Sequence, residues 1–276
     1  MARNPTRWRE RRRRLRVDSI NRLLPNALTM LGLCAGLTAI RYGLQDKWHV
    51  GIAMIAVAAL LDTLDGRMAR LMGGPTEFGG QLDSLVDAIS FGVAPMLLVY
   101  LWSLQTAGGV SWVISLLFVV CCVLRLARFN ITSADPDLPA WAGSYFSGVP
   151  APAGAGMVLL PMLISTEIEW DFLCSAWLNG PWMLVVAALM ISRTPTYSFK
   201  RLRVPQRTVR FAMVCVAAAA AAMIVEPWYT LSAVVITYTF TIPFSIRSYA
   251  RQARVAMDKN GEDVDDDGNG NDGEPE

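Results

Sequence analysis

Histidine is almost missing from this chain: one residue in 276, His49. It has no Cys or Glu at ligand spacing and stands where an apolar run begins, the position of an interfacial side chain at a helix start. Cysteine is scarce as well. Cys34, Cys121, Cys122, Cys174 and Cys215 lie mostly within apolar runs and show no paired-ligand spacing, which argues against a disulfide framework and against zinc. With imidazole so rare, proton transfer falls to a carboxylate. Charge is thin along the middle of the chain and collects at its ends and in a few short clusters. The net charge of +2 therefore conceals a strongly basic head and a strongly acidic tail. What is abundant is apolar: 53% of residues are hydrophobic and the mean hydropathy is positive, which suits a polytopic membrane protein and disfavours a soluble domain.

A helix needs about twenty apolar residues to cross a bilayer. Eight segments qualify: 24–42, 50–72, 80–104, 110–128, 150–166, 176–192, 208–226 and 229–247. The predicted fold class is thus all-α, a membrane helical bundle of about eight spans. The sixth is the weakest, because Asn179-Gly180-Pro181 interrupts its start. No cleavable signal peptide is expected, since the first apolar run follows nine arginines and lacks a small-residue cleavage site.

Basic residues flanking the spans set the orientation. Residues 1–22, the connection from Arg193 to Arg210 and the segment after span eight are all rich in Arg and Lys, whereas the loop after span five carries Glu167, Glu169 and Asp171. Both termini are expected in the cytoplasm. Arg41 and Lys47 run against this assignment; Arg67, Arg70, Arg125 and Arg128 agree with it. The basic head reads either as a topology signal or as a helix lying on anionic headgroups, and nucleic acid is not expected as a partner. In the tail, Asp263, Asp265, Asp267, Gly268 and Glu274 fit a calcium-loop pattern. The chain stops two residues later, however, and Gly270 stands where an apolar residue belongs, so residues 251–276 are expected to be a disordered acidic tail.

Four aspartates, Asp62, Asp65, Asp83 and Asp87, break into spans two and three. A carboxylate at bilayer depth costs about 2.5–3.5 kcal/mol on insertion scales. Residues three and four apart share a helix face, so Asp62, Asp65, Gly66, Ala69 and Arg70 line one stripe, and Asp83 with Asp87 line another. Gly73-Gly74-Pro75 between them permits an antiparallel turn. Four carboxylates brought together cannot all stay ionised without compensation. An oxygen-only ligand set suits Mg²⁺ or Mn²⁺, with Ca²⁺ possible, and metals held by carboxylates recur in displacement at phosphorus. Gly66 and Ala69 leave room beside the acids, and Arg70 offers a phosphate donor. An ion-coupled transporter is the alternative reading of such acids, but it predicts carboxylates spread along a path, whereas these cluster on two neighbouring helices.

The spacing Asp62-x2-Asp65-Gly66-x2-Ala69-Arg70-x8-Gly79-x3-Asp83-x3-Asp87 resembles the signature of the CDP-alcohol phosphatidyltransferases at all eight positions. The resemblance implies two divalent metals held by the four aspartates, with Asp87 as the base that deprotonates the incoming alcohol. It further implies contacts from Gly66, Ala69, Arg70, Thr76 and Gly79 to the CDP lipid, with Asn26 and Thr29 flanking the nucleotide. Three more stretches, DSLVDAISFGVAP (83–95), RLARFN (125–130) and FSGVPAPAGA (146–155), resemble the integral-membrane phosphatidylserine synthases of bacteria. That implies CDP-diacylglycerol and L-serine as substrates, a homodimer, and a bacterial inner membrane with the site facing the cytoplasm. Arg125 and Arg128, three apart, are candidate partners for the acceptor carboxylate; ordinary positive-inside anchoring is their other reading, and another acceptor such as glycerol 3-phosphate or inositol stays open on charge alone. The resemblance covers about residues 20–205, so the core is taken as 23–205 and spans seven and eight, 206–250, as an addition to a six-helix family core.

Overall fold

The structure is a computed structural model that describes residues 5–72, 74, 76–133, 145–168, 170–192, 195–197 and 206–242. The acidic tail with its calcium-loop pattern, the end of span eight and most of the basic connection from Arg193 lie outside the described residues.

Helix α1 runs unbroken over Pro5–Gly43, so the basic segment and the first span form one rod. A short turn, with Asp46 at φ 57°, reverses the chain into α2, Trp48–Leu71. Helix α3, Glu77–Asp87, starts behind Thr76 and continues through a π-helical turn, Ala88–Val93, into α4, Ala94–Val99. Pro95 explains the π turn: without an N–H it cannot extend the four-residue ladder. Beside it, the N–H of Ala94 donates five residues back, to Ile89. A second π turn, Tyr100–Leu104, and a 3₁₀ turn, Gln105–Ala107, complete this rod. Helix α5 spans Gly109–Ser133, α6 Ala151–Ser165, α7 Ala176–Ile191 and α8 Gln206–Val225; α9 covers 227–242. Among the described residues, the exception to the all-α class is an antiparallel pair of three-residue strands, β1 Tyr145–Ser147 and β2 Pro195–Tyr197, with Tyr145 opposite Tyr197.

The triplet Asn179-Gly180-Pro181 does not interrupt the sixth segment. Ser175 caps α7, its Oγ accepting from the Trp177 N–H at 3.3 Å. Asn179 is fully buried and its Nδ2 donates to Ser103 Oγ at 2.9 Å, pinning α7 to the second π turn.

Among the described residues, four helical stretches are long and apolar enough to cross a membrane: Leu23–Gly43, Trp48–Leu71, Glu77–Ala107 and Gly109–Ile131. The chain is a multi-pass membrane protein. Helices α6 and α7, with 15 and 16 residues, measure about 22–24 Å at 1.5 Å per residue, short of a hydrocarbon core of about 30 Å. They lie inside: Met157, Met162, Met183 and Met190 are fully buried beside Phe91 and Phe118. Outward-facing Leu31, Leu60, Leu64, Val113 and Val120 are exposed, a surface suited to lipid and unsuited to water. The ends differ too. Trp48, Trp102 and Trp170 line a cavity of about 360 Å³ at one end, where the His49 and Trp228 rings meet edge to face at 5.2 Å; interfacial aromatics gather in this way at a membrane boundary. The aspartates lie toward the other end.

Candidate active site

The antiparallel arrangement of α2 and α3 is set by local chemistry. Helix α2 ends where the Gly74 N–H reaches back to the Ala69 carbonyl at 2.9 Å, a six-to-one bond typical of helix termini. Helix α3 begins where Thr76 Oγ1 accepts from the Gly79 N–H at 3.0 Å, satisfying one orphan donor of its first turn. Thr76, expected near the lipid substrate, is thus also the cap that aims α3. Gly79 is small for a steric reason: a Cβ there would lie 3.0 Å from Thr76 Oγ1 and 3.1 Å from Asn26 Oδ1. Gly66 differs, for nothing stands within 4 Å of where its Cβ would be.

Folded this way, the chain brings three carboxylates together. Oxygens of Asp62, Asp83 and Asp87 all lie within 4.8 Å of one another. Asp87 is buried, and the π turn begins at the next residue. Asp65 stands slightly apart from the trio. It is buried, and its Oδ2 accepts a short hydrogen bond, 2.6 Å, from Thr29 Oγ1 on α1. The four predicted acids are therefore grouped as three plus one, with the fourth held by a hydroxyl.

A cavity of about 390 Å³ opens beside them. Asn26 and Thr29 from α1, Gly66 and Ala69 from α2, and Thr76 and Gly79 from the start of α3 line it, together with Asp65 and Asp83. Asp83 belongs to both the trio and the cavity. Arg70 is exposed and is not among the lining residues.

The two arginines of RLARFN part company. Arg125 is buried and near enough to Asp87 and Asp62 for their charges to interact. Arg128 Nη1 donates to the Ile191 carbonyl at 2.9 Å and so ties α5 to the last turn of α7. Asn130 accepts from Ser84 Oγ at 3.0 Å, joining α5 to α3 one turn from Asp87. Sequence reasoning missed the Ser84–Asn130 pair, and also Ser90, whose Oγ donates to the Gly32 carbonyl at 3.3 Å. Both lie within the quoted stretches, but their partners are long-range and leave no local spacing to read.

The donor set fits a hard divalent cation: three carboxylates from two helices, at a mutual distance one ion can bridge, with no imidazole among them. In a low-dielectric setting such a cluster needs positive charge close by, and Arg125 supplies only one.

The sequence model described as CDP-alcohol phosphatidyltransferase matches residues 22–192. A second, described as CDP-alcohol phosphatidyltransferase 2, matches residues 207–243, the two helices expected to lie outside the core. A CDP-diacylglycerol–serine O-phosphatidyltransferase of Mycobacterium leprae is 39% identical over 82% of this chain and 75% of its own. The enzyme of the same name from Helicobacter pylori is 32% identical over 66% of this chain and 74% of its own. Among solved structures, the phosphatidylinositol phosphate synthase of Mycobacterium tuberculosis with CDP-DAG bound shares 24% identity at a TM-score of 0.43, covering 63% of this chain and 87% of that one.

Proposed function

This chain belongs to the CDP-alcohol phosphatidyltransferases, and we propose that it moves the phosphatidyl group of CDP-diacylglycerol to the hydroxyl of L-serine, giving phosphatidylserine and CMP. The observation that carries the chemistry is the carboxylate trio of Asp62, Asp83 and Asp87 within 4.8 Å, set beside a cavity lined by Asp65, Gly66, Ala69 and Gly79 of the same signature. Serine as acceptor is supported by the names of the relatives and by the three further stretches.

Asp62, Asp83 and Asp87 would hold a divalent metal, with Asp65 beside them; two ions, Mg²⁺ or Mn²⁺, follow from the family resemblance. When bound, the metal supplies the positive charge that offsets the carboxylates and polarises the pyrophosphate. The CDP head enters the cavity over Gly66 and Ala69, whose missing or short side chains let it approach the α2 backbone. Asn26, Thr76 and Gly79 close the nucleotide end, and exposed Arg70 is the donor drawn to the phosphates. Asp87, buried and next to the other acids, takes the serine hydroxyl proton. The serine oxygen bonds to the lipid-side phosphorus as the bond from that phosphorus to the CMP oxygen breaks, and CMP leaves with the electron pair. Arg125, beside Asp87, faces the serine carboxylate, while Arg128 holds α7 in place.

The bundle is read as eight spans, with α6 and α7 as short spans buried among the longer helices, in a bacterial inner membrane, both termini and the acidic site toward the cytoplasm, as supported by the basic residues near that end. A homodimer follows from the family resemblance.

Purified protein in detergent, given CDP-diacylglycerol, L-serine and Mg²⁺ or Mn²⁺, should release CMP and form phosphatidylserine, and excess EDTA should stop it. Glycerol 3-phosphate and inositol offered to the same preparation separate the acceptors. Removing a general base costs about 10²–10⁴-fold, so Asp87→Asn should fall at least that far in kcat. Full turnover by Asp83→Asn or Asp87→Asn, or a rate indifferent to EDTA, sinks the proposal.

A further inference from the structure

Near the acids, two buried polar atoms form no hydrogen bond among the described residues: Arg125 Nε on α5 and Tyr238 Oη on α9. Native folds rarely leave such groups unmatched without a functional reason. The two are neighbours, close enough for the guanidinium and the phenol to interact electrostatically, yet neither bonds the other. Both can donate, one through an N–H and the other through an O–H, and an acceptor seated beside the two would satisfy them together.

The placement of Tyr238 follows from how α9 docks. Leu231, Val235, Tyr238 and Ile242 recur at helical spacing and pack against the central core. Val235 settles against Gly156 of α6, where a Cβ would come within 3.2 Å of it. One turn further along the same stripe, Tyr238 is half-buried and its Oη is buried. Its neighbour α8 shows the contrast, for Met213, Val214, Ile224 and Val225 are all exposed.

We infer that Tyr238 is an acceptor-binding residue, its O–H and the Arg125 Nε–H together gripping the carboxylate of the amino-acid acceptor. A carboxylate has two oxygens and four lone-pair positions, so it satisfies both donors at once, and an anion belongs beside a guanidinium that the aspartates do not neutralise by direct pairing. The α9 helix thereby becomes part of the site, and the phenol distinguishes an acceptor that bears a carboxylate from a neutral alcohol. This rests on the serine reading above.

The test uses the full chain in detergent with L-serine and with 2-amino-1,3-propanediol, which replaces the carboxylate by a neutral arm and is assayed as acceptor or as competitor of serine. Tyr238→Phe keeps the ring and its packing. It should raise KM for L-serine about tenfold, the worth of one hydrogen bond to a charged group. KM for CDP-diacylglycerol, kcat and the apparent affinity for the propanediol should stay within about twofold. Val235→Ala, which loosens the same helix without touching a polar atom, should lower the thermal midpoint and leave the preference for serine over the propanediol intact. An unchanged KM for serine, equal losses with both compounds, an inactive Tyr238→Phe, or a Val235→Ala variant that shifts the preference equally would each overturn the assignment. Failure of the serine reading is seen separately, as wild-type protein that releases CMP with another alcohol and not with serine.

Discussion

Thr29 shows how one hydroxyl divides four like-charged side chains. Its 2.6 Å bond to Asp65 Oδ2 occupies one oxygen of that carboxylate and fixes its direction, while Asp62, Asp83 and Asp87 converge elsewhere. Partners that orient metal-binding groups are worth about 10–100-fold in metal affinity. Thr29→Val keeps the shape and removes the donor, so the Mg²⁺ or Mn²⁺ concentration giving half-maximal rate should rise by about that factor, with kcat at saturating metal nearly restored. A titration that overlays wild type would mean that Asp65 needs no such support. Of these residues, the aspartates were legible from spacing alone, because i, i+3 and i+4 positions on a helix share a face whatever surrounds them. The separation of Asp65 was not legible, since it depends on a contact across 36 residues. Tyr238 was hidden for a related reason: nothing in the run VVITYTFTIPF sets it apart from its apolar neighbours, and only the docked helix shows its Oη buried.

Among the helices, glycine has two opposite uses, and substitution separates them. At Gly36 the α1 helix passes against the π turn so closely that a Cβ would lie 2.5 Å from Ser90 Oγ and 2.9 Å from Ser90 Cα. A rotamer change clears the oxygen but not the backbone carbon. Gly36→Ala should therefore push the helices apart and cost about 1–3 kcal/mol as overpacking does, read as a lower unfolding midpoint in detergent. Gly66→Ala should do the reverse. It meets no neighbour within 4 Å, gains up to about 1 kcal/mol of helix propensity, and places a methyl group in the cavity. The midpoint should hold or rise while KM for CDP-diacylglycerol increases. Swapped outcomes would mean that the open face of α2 is not where substrate approaches. At this scale the apolar runs located the helices well; α5 begins at Gly109 against an expected 110. Less legible was the fate of Asn179, which looked like a breaker because amides compete with helix bonds. Its partners, Ser103 and the carbonyls of Leu173 and Ser175, absorb the side chain and leave the helix whole.

The molecule as a whole has a basic, acid-bearing end and an aromatic end, and the two ends can be told apart chemically. Arg67, Arg70, Arg125 and Arg128 lie toward the first; at the second, described side chains include Asp46, Glu167, Asp171 and Glu226, with Lys47 over the Tyr42 ring at 5.8 Å. The positive-inside rule counts basic residues near span ends and gives little weight to acids, so Arg41 and Lys47 are the only described cations against the proposed orientation. Cysteine supplies a direct probe of it. Cys121 and Cys122 are buried, whereas Cys174 is exposed in the 3₁₀ turn between α6 and α7, at the aromatic end. Cys34 and Cys215 are exposed on the apolar helices α1 and α8, where lipid shields the thiol from an aqueous reagent. A membrane-impermeant maleimide added to intact cells should therefore label Cys174, and Cys174→Ser should abolish that labelling. In the Cys174→Ser background, Glu77→Cys at the mouth of the acidic cavity should stay unlabelled until the membrane is opened. The opposite pattern, with Glu77→Cys modified in intact cells and Cys174 protected, would turn the bundle over and put the acids on the side away from the nucleotide-linked lipid they are proposed to bind.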